Sequence, residues 1–111
     1  MSMNYEETMM QLILHGGNAR GAAYEALDEA EEYKFEEAES KLEEANDEFL
    51  KGHKYQTELI QNENDGTVPS FFMIHAQDHL MTAQAELALI KRLIVQLKKT
   101  QAIEARLEAV E

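Results

Sequence analysis

Apolar and small residues recur along this chain in steps of three and four, over three separate stretches. In the first, Tyr5, Met9, Leu12, Gly16, Ala19, Ala23, Ala26 and Ala30 follow one another at this spacing. Phe35, Ala38, Leu42, Ala45, Phe49, Gly52, Gln56 and Leu59 repeat it in the second. Such steps line one face of an α-helix, and no stretch shows the alternation expected of a strand. The third stretch carries two seams. Met73, Ala76, Leu80, Ala83, Leu87, Ile90, Ile94 and Leu97 form one, and Phe71, His75, Asp78, Thr82, Ala85 and Leu89 form another on a largely different side. A helix with two seams has two partners to satisfy. The other two helices can cover the first seam. Another copy of the chain is then expected on the second, so the pattern predicts an oligomer without fixing its order.

The predicted architecture is therefore all-α: one domain over residues 1–111, with three antiparallel helices at about 4–31, 34–62 and 69–99. The single proline, Pro69, follows the cluster Asn62–Val68, which reads as a loop with a proline placed near the next helix start. The first break is weakly signalled, because Glu31-Glu32-Tyr33-Lys34 holds no glycine, proline or asparagine. A tight turn is placed at Glu32–Lys34, since one helix of some sixty residues would be unusual for a compact domain. Beyond Lys98 the seams falter, and residues 100–111 read as a frayed continuation or a mobile end. Within the first helix, Gly16-Gly17 marks either a kink or a place where something must come near the backbone.

Composition narrows the function more than the fold. At 111 residues the chain can build one modest core. It has no cysteine, which excludes disulfides and thiolate sites and suits a reducing compartment. The acidic N-terminus does not resemble a signal peptide, and no apolar run reaches membrane-spanning length, so a cytoplasmic protein is expected. A formal net charge of −12 argues against nucleic acid and anionic membrane surfaces and is compatible with a basic protein partner. The acidic runs at Asp28–Glu32 and Glu36–Glu44 read as solvated helix faces, with Lys41 offsetting some of the repulsion.

Chemistry concentrates in His75-Ala76-Gln77-Asp78-His79-Leu80-Met81, where two histidines and an aspartate fall within about one helical turn. Ionisable groups on an otherwise apolar helix ask for a reason. Metal binding is one: His-x-x-x-His with a carboxylate supplies nitrogen and oxygen ligands. The absence of an HExxH pattern argues against a zinc hydrolase, whereas Asp78 carboxylates meeting on a symmetry axis would need a cation or protons between them. Nucleophilic chemistry is another: a neutral imidazole can take a phosphoryl group on one nitrogen while a hydrogen bond at the other fixes the tautomer. With no phosphate loop in the chain, the phosphate would come from another protein. A purely structural role for this turn stands beside both. His15 and His53 read as packing or surface residues, and the Met9-Met10 pair as core.

This turn, in a three-helix layout, resembles the hallmark of the lactose/cellobiose-type enzyme IIA of the bacterial phosphoenolpyruvate-dependent sugar phosphotransferase system. Gly17-x-Ala19-Arg20 followed by Glu25-Ala26-Leu27 is similar to the family's first-helix pattern, and Tyr33-Lys34-Phe35-Glu36-Glu37-Ala38 falls at its first turn. The resemblance spans roughly residues 4 to 99. The chain departs from the pattern at Gly21, where a serine is expected, and by lacking a glycine at the first turn. The resemblance implies a homotrimer in which His75 accepts a phosphoryl group from phospho-HPr and passes it to a cysteine of the cognate IIB, serving the membrane component IIC. It implies a magnesium-like cation among the Asp78 carboxylates at the trimer axis, and supporting positions near His75 for Gln77 and His79. It implies no organic cofactor. A non-enzymatic, acidic helical adaptor is the competing reading.

Overall fold

The computed structural model describes residues 4–62 and 69–110, and these form three helices: α1 (Tyr5–Glu31), α2 (Phe35–Gln61) and α3 (Phe71–Val110). Asn4 caps α1 by accepting from the Glu7 amide at 3.1 Å, and Glu6 and Glu7 complement the positive end of the helix. Ser70 does the same for α3, its hydroxyl accepting from the Met73 amide at 3.0 Å, with Pro69 just ahead of the cap. The loop expected over Asn62–Val68 lies, from Glu63 on, outside the described residues.

The α1–α2 turn falls at Glu32–Lys34 and is a Schellman closure. The Tyr33 amide donates to the Ala30 carbonyl and the Lys34 amide to the Glu29 carbonyl, each at 2.9 Å. Tyr33 sits at φ 61°, in the left-handed region that glycine normally fills. The missing glycine is thus answered by a strained tyrosine rather than by a different turn. Its ring stacks on Phe35 with centroids 6.0 Å apart, and the Glu104 carboxylate beside its phenol raises the Tyr33 pKa.

The first seam of every helix points inward. Ala19, Ala23, Ala26 and Ala30 of α1, Ala38, Leu42 and Ala45 of α2, and Ala76, Leu80, Ala83, Leu87, Ile90 and Ile94 of α3 are all buried. One cluster joins the C-terminal half of α1 to the start of α2 and the middle of α3; the other joins Met9 and Leu12 to Ala76 and Leu80. Alanine contributes little area, so the helices gain by approaching closely around a few large side chains. Leu12, Leu80 and Ile94 are the largest fully buried ones, each stabilising by about 1.5–3 kcal/mol.

The described fold has an extent of 69 × 18 × 18 Å because α3 outruns its neighbours. Its 40 residues span about 60 Å, against about 40 Å for the 27 residues of each of the others. Residues 100–110 remain helical, so α3 does not end near residue 99 as expected from the sequence. All their side chains are exposed. The reason is visible in the spacing. Leu89, Leu93, Gln96, Thr100, Ile103, Leu107 and Val110 carry the outer stripe on by threes and fours, after two successive steps of four at Leu89 that rotate it.

Candidate functional site

The outer seam of α3 is uncovered within the chain. Phe71 is 91 % and Leu89 58 % exposed, and His75, Asp78, Thr82 and Ala85 between them are exposed as well. Ser70 starts the helix one turn before His75, so the imidazole stands in the second turn, close to the helix end that favours negative charge.

Helical spacing brings His75 and His79 together. Their Nε2 atoms are 3.1 Å apart, the ring centroids 4.6 Å apart, and the rings meet edge to face at 89°. A nitrogen–nitrogen contact of this length is a hydrogen bond in which one ring donates and the other accepts. Were His79 to donate, His75 Nε2 would accept through its lone pair and carry its proton on Nδ1; with the opposite tautomers the roles reverse. His79 is the more enclosed of the two rings and His75 the more exposed.

Asp78 faces out along the same seam, with Thr82 donating to its main-chain carbonyl at 2.8 Å. Among the described residues no group of three or more His, Asp or Glu side chains is arranged to hold a metal. One carboxylate falls well short of the roughly six oxygens magnesium requires. An exposed carboxylate on an uncovered seam fits a cation only where several copies bring theirs together.

Gln77 is not brought to this pair. Two residues along a helix is a rotation of about 200°, which sends its side chain to the far side of α3. There it lines a cavity of about 260 Å³ with Tyr5, Leu59, Ile60, Pro69, Met73 and Ile74. Its Oε1 is buried with no hydrogen-bond partner among the described residues. Within one chain, Gln77 is therefore a cavity residue and not a support for His75.

Sequence reading missed a histidine–carboxylate pair. His15 of α1 meets Glu48 of α2 at 2.7 Å, Nδ1 to Oε2, and lies parallel to the Tyr55 ring at 6.0 Å. His15 thus joins two helices, which accords with a packing role, and its hydrogen bond holds the Glu48 carboxyl below its ordinary pKa. Nothing in local spacing signals a pair so far apart in the chain. His53 is exposed, its ring tilted against Phe49 at 5.8 Å. Arg20 of α1 pairs with Glu86 of α3, further down the bundle.

Comparison with known proteins covers nearly the whole of this arrangement. The family described as "PTS system, Lactose/Cellobiose specific IIA subunit" matches residues 7–98. The lichenan-specific phosphotransferase enzyme IIA component of Bacillus subtilis is 51% identical over 85 residues, covering 75% of this chain and 77% of the relative. The crystal structure of the cellobiose-specific enzyme IIA from Bacillus anthracis superposes with a TM-score of 0.85 at 42% identity, covering 92% of this chain and 95% of the other. The chitobiose IIA in the IIA(Chitobiose)–HPr complex of Escherichia coli superposes at 0.79 with 33% identity, over 90% and 99% of the two chains. Agreement in sequence and in backbone over this span leaves one assignment: the chain belongs to the lactose/cellobiose-specific IIA family of the phosphotransferase system.

Proposed function

We propose that the chain is a phosphocarrier in which His75 Nε2 takes a phosphoryl group from phospho-HPr and hands it to a cysteine of a cognate IIB. The observation that supports this reading is the exposed His75 imidazole with His79 Nε2 at 3.1 Å from its own; with His79 as the donor, His75 is the Nδ1–H tautomer whose Nε2 can act as nucleophile. In the transfer, a bond from His75 Nε2 to phosphorus forms as the bond from phosphorus to the donor breaks. The Nδ1 proton stays in place throughout. His79, displaced from the lone pair it had capped, is then within reach of a phosphoryl oxygen. In-line phosphoryl transfer depends mainly on positioning and charge stabilisation, so a single imidazole suffices and no turnover by the chain alone is expected. HPr as donor is supported by the complex of the chitobiose relative.

The assembly that fits best is a homotrimer built on the outer seam of α3. It would cover Phe71, Thr82, Ala85 and Leu89 and leave His75 in a groove between copies. Asp78 would then face its symmetry mates, where magnesium or a similar divalent ion would offset the repulsion between carboxylates. We place the protein in the cytoplasm, serving a membrane IIC for a lactose-, cellobiose- or chitobiose-type sugar. Among the described residues no helix is long and apolar enough to cross a membrane.

Incubation with phosphoenolpyruvate, enzyme I and HPr tests the reading. The chain should acquire an acid-labile phosphoryl group that is absent from His75→Ala. Label persisting in that variant would move the site to another histidine, and no label on the parent would favour the acidic helical adaptor.

A further inference from the structure

We propose that Gly16 is a positioning residue for the His75–His79 pair, acting through the His79–Leu80 peptide; the catalytic part of this inference rests on His75 being the carrier. At Gly16 the backbone of α1 passes directly beneath that peptide. A Cβ there would lie 3.0 Å from both the carbonyl carbon and the oxygen of His79 and 3.2 Å from the Leu80 nitrogen. All three are backbone atoms, so no side-chain rotation relieves the contact.

Gly52 of α2 makes the opposite kind of approach at the same level. A Cβ there would meet Leu80 Cδ1 at 2.6 Å and His15 Cβ at 3.3 Å, both side-chain atoms. Leu80 is thus seated between two glycines, its backbone against α1 and its side chain against α2. Gly17 and Gly21, one and five residues on, have nothing within 4 Å of their Cβ positions. Close approach to α3 therefore belongs to Gly16 among the α1 glycines.

Consequences for the imidazoles follow from what holds α3 on either side. Ala76 and Ala83, about one turn before and after, are fully buried. A methyl group at residue 16 cannot lift α3 as a rigid rod without opening both of those contacts. The strain goes instead into tilting the His79–Leu80 peptide, from which the His79 ring hangs. His75, a turn earlier, is not displaced equally, so the 3.1 Å Nε2–Nε2 contact changes. Hydrogen bonds weaken steeply once the angle at hydrogen falls below about 120°, and a misplacement of about 1 Å in a transfer site can cost roughly a hundredfold in rate.

The test compares Gly16→Ala with Ala26→Gly, which removes a buried methyl from α1 in the other cluster and serves as a control for simple destabilisation. Both are made in a Gly21→Ala background, which raises helix propensity at an open position and keeps the variants folded. Imidazole nitrogen resonances are recorded on the unphosphorylated proteins, and phosphoryl transfer from phospho-HPr is measured as separate kcat and KM with IIB in excess as acceptor, so that the chain turns over. Gly16→Ala should move the His75 and His79 resonances and lower kcat at least about tenfold, with KM changed by less than about threefold. Ala26→Gly, equally or more destabilised towards urea, should do neither. Unmoved resonances in Gly16→Ala, or a kcat loss shared with Ala26→Gly, would overturn the proposal. If the parent takes up no phosphoryl group, the carrier reading fails, and the resonances alone decide whether Gly16 sets the pair.

Discussion

Two histidine pairs use the same ring chemistry for different ends. His75 and His79 lie within one helix, one ring exposed to a partner and the other held behind it. His15 and Glu48 bridge α1 and α2, and their bond stabilises the fold through a carboxyl whose pKa is lowered by the His15 hydrogen bond. A group whose folded pKa is depressed contributes stability that is present above the unfolded value, near 4.5, and lost as pH falls through the folded value. Glu48→Gln should therefore cost roughly 1 kcal/mol at neutral pH, and the difference from the parent should shrink as pH drops below about 4.5. Urea unfolding across that range measures it; a difference independent of pH would remove Glu48 from the stability balance. Spacing made the His75–His79 contact legible, because positions four apart must meet on a helix. It also separated Gly16, on the buried seam, from Gly17 beside it. It gave no access to His15–Glu48, whose members are joined only by the packing of two helices. Nearness in a motif did not place Gln77 beside His75 within one chain, because two residues along a helix means opposite sides.

Each helix shows how far periodicity reaches and where it stops. Most of the inward seams were readable, since burial follows the three-and-four spacing, with Thr8 and Ala22 buried beside it and Tyr5, Phe35 and Phe49 only half-buried. The first turn was placed by length and not by chemistry, and its closure turned on a tyrosine in the left-handed region. That conformation costs a side-chain-bearing residue about 1–2 kcal/mol that glycine does not incur. Tyr33→Gly should accordingly be more stable than Tyr33→Ala by about 1 kcal/mol, although both lose the stack on Phe35 and the approach to Glu104. Urea midpoints of the two variants decide this, and equal stabilities would mean the turn relaxes when the ring is removed. The end of α3 escaped the sequence reading for a different reason. Two consecutive steps of four rotate the outer stripe, so a search for an unbroken heptad stops where the helix does not.

For the whole molecule, the unsolved surface is the long outer face of α3. Exposed apolar side chains run from Phe71 through Leu89, Leu93, Ile103 and Leu107 to Val110, past the α1–α2 turn at the helix end. A second seam on one helix pointed to self-association from the sequence alone, and the proposed trimer would bury it. In that assembly the Asp78 carboxylates repel, so Asp78→Leu should give a trimer whose sedimentation no longer responds to chelator, while the parent weakens. Equal sensitivity in both would count against an axial cation. The trimer matters to the chemistry because it would decide how HPr and IIB reach His75, but the carrier residue itself can be tested without it. The most direct measurement is fragmentation mass spectrometry under neutral conditions on the chain phosphorylated by enzyme I and HPr, locating the phosphoryl group to a residue. The group should lie on His75 alone. Finding it on His79, His15 or His53 would contradict the assignment of His75 as the carrier.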